Sequence, residues 1–187
     1  MKDTRYVLLL FGFLLGCSSF SIAWGQDFGF FLGYRSDSAQ TDVSGAEIKS
    51  GSSISFGAIG RFELSERLGL RTGMHYIPRQ YEWEQGGQSN RLRMTYFELP
   101  ATFLYYFTEG GGVFLGPSFS FNLDKDCGTL VCSGVSGNIV WMQFGASFKV
   151  APQIGVEVFF EQSLGTPIKT HVTQPRAVGF NFFVTFD

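Results

Sequence analysis

Large apolar residues occupy every second position near the carboxyl end of the chain. In the stretch VGFNFFVTF they are Val178, Phe180, Phe182, Val184 and Phe186. Alternate residues of an extended strand point to the same side, so this segment has one apolar face. The same alternation returns along most of the chain, and this period of two constrains the fold more than any other feature of the sequence.

Seven further segments show the same alternation, so the sequence predicts eight strands in all. Their apolar parity contains no Asp, Glu, Lys or Arg, whereas the opposite parity mixes glycine, serine and charged residues. Beyond position 26 the sequence has neither a sustained helical period nor an apolar run long enough for a membrane-spanning helix. The predicted strands cover residues 27–35, 53–64, 68–78, 91–107, 112–123, 138–150, 154–164 and 176–186.

The direction of the apolar face follows from its volume. A soluble barrel or sandwich would turn this face inward. It carries about forty side chains dominated by Phe and Leu, and an eight-stranded barrel has an interior only just wide enough for side chains to fill. The face must therefore point outward into lipid, where only a closed barrel satisfies the backbone groups of every strand. We predict an all-β fold, an eight-stranded antiparallel up-and-down transmembrane β-barrel, with Phe180, Phe182 and Phe186 facing lipid.

The connections between the predicted strands alternate in length. Polar stretches of about ten residues or more follow the odd-numbered strands, and turns of three or four residues follow the even-numbered ones. Long loops on one rim and short turns on the other are typical of outer-membrane barrels, whose long loops lie outside the cell. The long connections are predicted at 36–51, 79–90, 124–137 and 165–174, and the short ones at 65–67, 108–111 and 151–153.

The first 25 residues predict a cleaved secretory signal peptide. A basic start and the apolar run 6–15 precede the tripeptide AWG at 23–25, whose small residues suit the −3 and −1 positions of a cleavage site. The apolar run is short compared with the roughly 20 residues of a membrane-spanning helix. An alternative is lipoprotein processing, with Cys17 acylated. The predicted organisation is a signal peptide over 1–25 and one barrel domain over 26–187.

Export places the remaining cysteines in an oxidising compartment. Cys127 and Cys132 form an even pair within a polar segment, which predicts a small loop disulfide. By chain entropy such a short closure contributes about 2 kcal/mol. A metal site would need further ligands nearby, but His75 and His171 lie far away in sequence. We expect no metal and no cofactor.

Charged residues of the inward parity predict a polar network in the lumen. Buried charges need partners, so we expect ion pairs and hydrogen bonds that mostly close the lumen to solutes. A selective pore or gate is the functional alternative, because ionisable groups within a membrane often serve transport. The predicted members are Arg61, Arg71, Lys149 and Glu157 toward the short-turn end, with Glu98 and Glu161 nearer mid-depth.

Several other residues carry more than one interpretation. His75 beside an inward serine and glutamate could suggest a hydrolase, but a packed lumen histidine is the more ordinary reading. Pro100 and Pro117 fall inside strands of a barrel without free edges, so each should mark a bulge or a missing ladder bond. Aromatic residues near strand ends suggest interfacial girdles, with lumen packing as an alternative for Trp141 and a longer third strand as an alternative for Tyr81 and Trp83. The aromatic residues concerned are Tyr76, Tyr81, Trp83, Tyr105, Tyr106 and Trp141.

Three stretches carry a resemblance to a known family. They are LGLRTGMHYIPRQYEW, YFELPATFLYYF and GGVFLGPSFSFNL, with Glu98-Leu99-Pro100 and Leu115-Gly116-Pro117 as their most characteristic pieces. They resemble the PorT-like outer-membrane β-barrels of Bacteroidetes, within the wider OmpA/OmpX-like group. The resemblance implies the outer membrane of a Gram-negative bacterium, reached through a Sec signal peptide. The last strand also resembles the aromatic-ended signal read by the barrel assembly machinery, although here Asp187 follows Phe186.

The sequence favours a non-enzymatic protein with a structural or surface-interaction role. Expected partners are outer-membrane lipids, the assembly machinery during insertion and an unknown extracellular ligand of the long loops. The formal net charge of −2 argues against nucleic acid. Alternatives are a narrow small-solute channel, a lipid-modifying barrel enzyme and a soluble lipocalin-like carrier.

Overall fold

The computed structural model describes residues 26–128, 136–167 and 172–186. Each strand pairs antiparallel with its neighbours in sequence, and the last strand pairs with the first, so the sheet closes into an eight-stranded barrel. The predicted fold class is confirmed. The described residues contain no helix with the length and apolar character needed to cross a bilayer. The strands are β1 (Gln26–Gln40), β2 (Ala46–Ser65), β3 (Leu68–Gln85), β4 (Gln88–Thr108), β5 (Gly111–Asp126), β6 (Asn138–Ala151), β7 (Ile154–Ser163) and β8 (Thr173–Phe186).

The outer surface of the barrel carries a belt of exposed apolar side chains. Phe30 on β1 is 65% exposed and Phe182 on β8 is 45% exposed, whereas their inward neighbours Phe31 and Phe183 are buried. Large apolar side chains of soluble proteins are usually removed from water, and a continuous exposed belt marks a surface that another phase covers. In a closed barrel this phase is lipid hydrocarbon.

The seam between β8 and β1 closes the belt. Phe182 lies opposite Leu32, and Phe180 lies opposite Tyr34. The rings of Phe180 and Tyr34 approach to 5.8 Å between centroids. Aromatic pairs across neighbouring strands stabilise a sheet beyond the burial of their area. The phenylalanines of the last strand therefore lie on the exposed apolar belt and also hold the closing pair of strands together.

Strands β1 to β4 extend beyond the predicted ends at the long-loop rim. The connections expected at 36–51 and 79–90 shorten to 41–45 and 86–87, so the prediction of two long loops there was wrong. Gly86 and Gly87 have φ values of +58° and +78°, which suits a tight two-residue hairpin turn. Once these strands leave lipid, their outward residues no longer need to be apolar, so this part of the sequence resembles a loop. The pairing of β1 with β2 ends at Asp37 and Gly51, whereas the pairings of β2 with β3, β3 with β4 and β4 with β5 continue further, so β2 to β5 form a wall that rises above the lipid belt.

The short connections lie where the sequence predicts them, after β2, β4 and β6. The two prolines also leave the register intact. Pro100 pairs with Ser118, and beyond Pro117 the same register pairs Phe103 with Leu115. Neither proline therefore marks a bulge between β4 and β5. Of the two expected effects, only the missing ladder hydrogen bond is left, because proline has no backbone N–H to donate.

A charge placed in the middle of the lipid belt tests the orientation of the faces. Phe182→Lys is expected to lower the free energy of unfolding by about 2–4 kcal/mol, because the ammonium would lie near the centre of the hydrocarbon. Urea unfolding in lipid vesicles measures the loss. Gln88→Lys, at the exposed end of the wall, is the control and should change stability little. Equal effects of the two substitutions would contradict the assigned lipid face.

Candidate functional site: the closed lumen

Glu157 is the centre of a buried ion cluster in the half of the lumen near the short turns. Arg71 donates to both of its carboxylate oxygens, at 2.9 and 2.7 Å. Arg61 donates at 3.0 Å and Asn181 at 3.2 Å. Such paired, charge-assisted bonds offset the cost of removing the charges from water. We call Arg61, Arg71 and Glu157 the lower cluster.

A second cluster lies closer to the end opposite the short turns. Arg79 contacts three carboxylates: Glu98, Glu161 at 2.9 Å and Asp37 at 3.4 Å. Arg35 donates to Glu161 at 2.5 Å and to Asp37 at 3.2 Å. All of these side chains are buried. We call Arg35, Asp37, Arg79, Glu98 and Glu161 the upper cluster.

Gln143 on β6 links the two clusters. Its amide nitrogen donates to Glu161 at 2.7 Å, and its amide oxygen accepts from Arg71 at 3.4 Å. The lower cluster has one cation in excess and the upper cluster has one anion in excess, so together the four guanidinium groups and four carboxylates are neutral. Neutrality matters because an uncompensated charge in a low-dielectric interior is costly.

Inward glycines leave room for aromatic rings, and the rings support the cations. A Cβ at Gly155 would lie 2.1 Å from the edge of the Phe183 ring, so only glycine fits beneath it. The guanidinium of Arg61 lies 4.1 Å from the centroid of the same ring, a cation–π contact. The same order joins Gly145, Phe114 and Arg71, and also Gly179, Phe159 and Arg35. Beside Gly57, the Phe31 ring contacts the imidazole ring of His75.

An apolar cluster covers the upper ion cluster at the end opposite the short turns. The Trp141 ring marks the boundary, because the guanidinium of Arg79 lies 3.5 Å from its centroid. Tyr81 and Trp83 lie on the inner side of the wall and are buried, not placed in an interfacial girdle. Tyr76 and Tyr105 are on the exposed side. The members of this apolar cap are Tyr81, Trp83, Leu92, Met94, Tyr96, Cys127, Ile139, Trp141 and Val172.

Little space is left between the two ion clusters. The cavity there has a volume of about 10 Å³, which is close to the minimum for a single water molecule. It lies among side chains of both clusters, including Arg35, Arg71 and Glu161. The described part of the lumen is therefore packed with side chains, with no room for a solute at this depth.

The structure brings most of the sequence-predicted site residues together. Arg61, Arg71, Glu157, Glu98 and Glu161 all lie in the two clusters. Lys149 does not. It forms a 2.6 Å ion pair with Asp27, and both side chains are partly exposed at the short-turn rim.

Sequence reasoning missed Arg35, Asp37 and Arg79. The predicted strands end at 35 and 78, so Asp37 and Arg79 fell into expected loops. The signal that could have found them is the continuing inward parity, which runs from Gly33 through Arg35 to Asp37 and from His75 to Arg79. A strand can keep its parity after its outward residues become polar.

Two further expectations concern a loop disulfide and a metal site. Cys127 is disulfide-bonded, whereas Cys132 lies outside the described residues. Within the described ranges, no three His, Cys, Asp or Glu side chains are arranged to hold a metal ion.

The outer face of the wall is polar and carries both signs of charge. Lys49 and Glu84 form an exposed 2.6 Å ion pair. This hydrogen bond raises the pKa of the Lys49 ammonium above its usual value. Arg91 and Arg93 are exposed on the neighbouring strand. Because water screens such pairs, the wall is better understood as a solvated surface than as a source of stability.

Comparison with known proteins agrees with this architecture. The family described as "Outer membrane protein beta-barrel domain" matches residues 18–127, more than half of the chain. The chain belongs to this family. It is therefore a barrel protein of the Gram-negative outer membrane, surrounded by membrane lipid. The comparison with curated proteins found no match.

Solved barrels have the same fold at low sequence identity. Ail, the attachment invasion locus protein of Yersinia pestis, is 12% identical, with a TM-score of 0.54 over 86% of this chain and 98% of that one. Neisserial surface protein A is also 12% identical, with a TM-score of 0.57 over 87% of this chain and 99% of that one. At such identity the likeness shows the fold alone.

The lower cluster gives a matched test of buried and exposed ion pairs. Glu157→Gln should lower the free energy of unfolding by about 3 kcal/mol or more, because it leaves two buried guanidinium groups without a counter-charge. Urea unfolding of the lipid-inserted protein measures the change. Glu84→Gln removes a carboxylate from the exposed pair with Lys49 and should leave the midpoint almost unchanged. A small effect at Glu157 would mean that water reaches the cluster.

Proposed function

We propose that this protein is a non-enzymatic outer-membrane barrel whose lumen is a rigid plug and whose extracellular end makes its functional contacts. The observation that carries the proposal is the closed lumen. A neutral network of eight ionic side chains fills the middle, and the apolar cap covers it from the extracellular side. Such dense packing favours a role as a rigid scaffold over a role as a pore.

The lumen network is an element of stability and closure in this proposal. Arg61, Arg71, Glu98, Glu157 and Glu161 act as ion-paired filling of a narrow barrel, supported by their mutual hydrogen bonds. Lys149 acts at the short-turn rim, where it pairs with Asp27. The buried position of His75, with its ring 4.4 Å from that of Phe31, argues against a hydrolase or lipid-modifying site, because lipid at the outer face does not reach it.

The extracellular wall is the surface that we assign to an outside ligand. Ail has been crystallised with the heparin analogue sucrose octasulfate. A sulfated ligand is not favoured here, because carboxylates outnumber cations on the outer face of the wall. The charged residues of the wall that reach water are Glu47, Glu82, Glu84, Asp124 and Asp126 with Lys49, Arg91, Arg93 and Lys125.

The route to the membrane forms part of the same proposal. We assign residues 1–25 to a Sec signal peptide, the barrel domain to 26–187, and the subtype to the PorT-like barrels of Bacteroidetes. Phe180, Phe182 and Phe186 serve as lipid-facing residues of the strand that the barrel assembly machinery reads. The intact mass of the membrane-extracted protein separates a chain starting at Gln26 from one acylated at Cys17.

Conductance tests the plug directly. The wild-type barrel in planar bilayers should show no stepwise openings, because the network leaves no path for hydrated ions. Arg71→Ala combined with Arg79→Ala and Trp141→Ala removes one cation from each cluster and the junction with the cap, and this variant should conduct. Glu84→Gln, which alters only the wall, is the control and should remain silent. Regular openings of the wild-type protein would favour the narrow-channel alternative.

The hairpin at 86–87 tests which end faces outward. A short epitope inserted between Gly86 and Gly87 should be tolerated, because exposed hairpin ends accept insertions. Antibody should label it on intact cells. The same epitope between Glu109 and Gly110, at the short-turn rim, should be labelled only after the outer membrane is permeabilised. The reverse pattern would place the wall in the periplasm and remove the proposed surface.

A further inference from the structure

Three of the residues that line the cavity between the two ion clusters each carry a buried polar atom without a partner. The atoms are Nη1 of Arg35, Nε2 of His75 and Oδ1 of Asn181, and none of them has a hydrogen-bond partner among the described protein atoms. All three side chains are at least nine-tenths buried, and all three residues line the cavity. An unsatisfied buried polar atom costs about 1–3 kcal/mol, so three at one cavity point to a missing common partner.

We propose that this cavity is a binding site for one structural water molecule. The volume of about 10 Å³ fits one water and excludes two. A water can accept a hydrogen bond from Arg35 and donate one to the Asn181 oxygen. Its third hydrogen bond is with Nε2 of His75. The water donates this bond if Nε2 is unprotonated and accepts it if Nε2 carries the ring proton. Three such bonds are typical of a buried water.

The charges around the cavity exclude the other small occupants. Arg35 and Arg71 line it, so a metal cation would be repelled. Glu161 and the amide oxygen of Asn181 also line it, so a halide would meet a carboxylate and an acceptor dipole. A neutral molecule that both donates and accepts hydrogen bonds matches the Arg35, His75 and Asn181 atoms. Water is the molecule of this kind that fits the cavity.

The water would connect the clusters by a second route, beside the link that Gln143 makes at the same cavity. Asn181 already donates to Glu157 of the lower cluster, and Arg35 donates to Glu161 of the upper cluster. A water between Asn181 and Arg35 therefore completes a second bridge, next to β8 and β1, as Gln143 does on β6. The polar filling of the lumen then forms one closed ring of hydrogen bonds, which resists separation of the two clusters.

A high-resolution crystal structure of the full barrel in a lipid phase tests the site. The expected result is a single spherical density peak within hydrogen-bond distance of the three atoms. An empty cavity, or a direct bond between Arg35 and Asn181 after a side-chain rotation, would overturn the proposal. A bromide soak distinguishes water from an anion. Anomalous signal at the peak would identify the occupant as an anion and would also overturn the proposal.

A double-mutant cycle tests the site in solution. His75→Phe keeps the ring but removes its nitrogens, and Asn181→Leu removes the acceptor. Because the two atoms have no direct bond, a shared water predicts that the shift of the urea midpoint in the double variant differs from the sum of the single shifts. His75→Phe with Ser120→Ala is the control cycle, since Ser120 is buried away from the cavity. Additive shifts in both cycles would contradict a shared water.

Discussion

The pairing of charge inside a narrow, water-poor lumen is the interaction on which the rest of the barrel depends. Eight strands enclose too little volume for hydrated ions, so each guanidinium must find its counter-charge on another strand. Glu157 on β7 thus holds Arg61 on β2 and Arg71 on β3. These contacts cross the lumen and tie opposite walls together, whereas the backbone ladder ties only neighbours. The network therefore fixes the cross-section of the barrel as well as its neutrality.

The same narrowness explains the unusual content of glycine and phenylalanine. Twenty-two phenylalanines and 24 glycines divide between two tasks. Outward phenylalanines cover the belt, and a few inward ones lie flat over a glycine of the next strand, as Phe183 does over Gly155. A ring in this position fills space without a polar atom and presents its face to a guanidinium. Glycine, ring and arginine thus form a repeated unit that packs and supports the charges together.

Most of the fold could be predicted because lipid imposes a strict alternation. Inside the belt every outward residue must be apolar, so the period of two identified all eight strands and the inward set with Arg61, Arg71 and Glu157. Above the belt the outward residues of β3 are Gln80, Glu82 and Glu84. Polar residues then occupy the outward positions, so the sequence no longer shows the apolar outward parity by which a strand was recognised. Arg79 was missed for this reason, whereas the alternatives of lumen packing for Trp141 and of a longer third strand for Tyr81 and Trp83 agree with the structure. Partners such as Arg79 and Glu161, 82 positions apart, also depend on strand register, which alternation alone does not give.

The wall and the cap depend on each other. A strand that leaves the membrane has no lipid to cover an apolar face, so the apolar residues of its inner side must pack against one another. Tyr81, Trp83 and Leu92 do this above Arg79, and the outer side is left polar. Without the wall, the upper cluster would open to water and its ion pairs would weaken through screening. The part of the barrel that reaches outside the membrane thus also keeps the ionic filling dry, which couples the surface to the closed lumen.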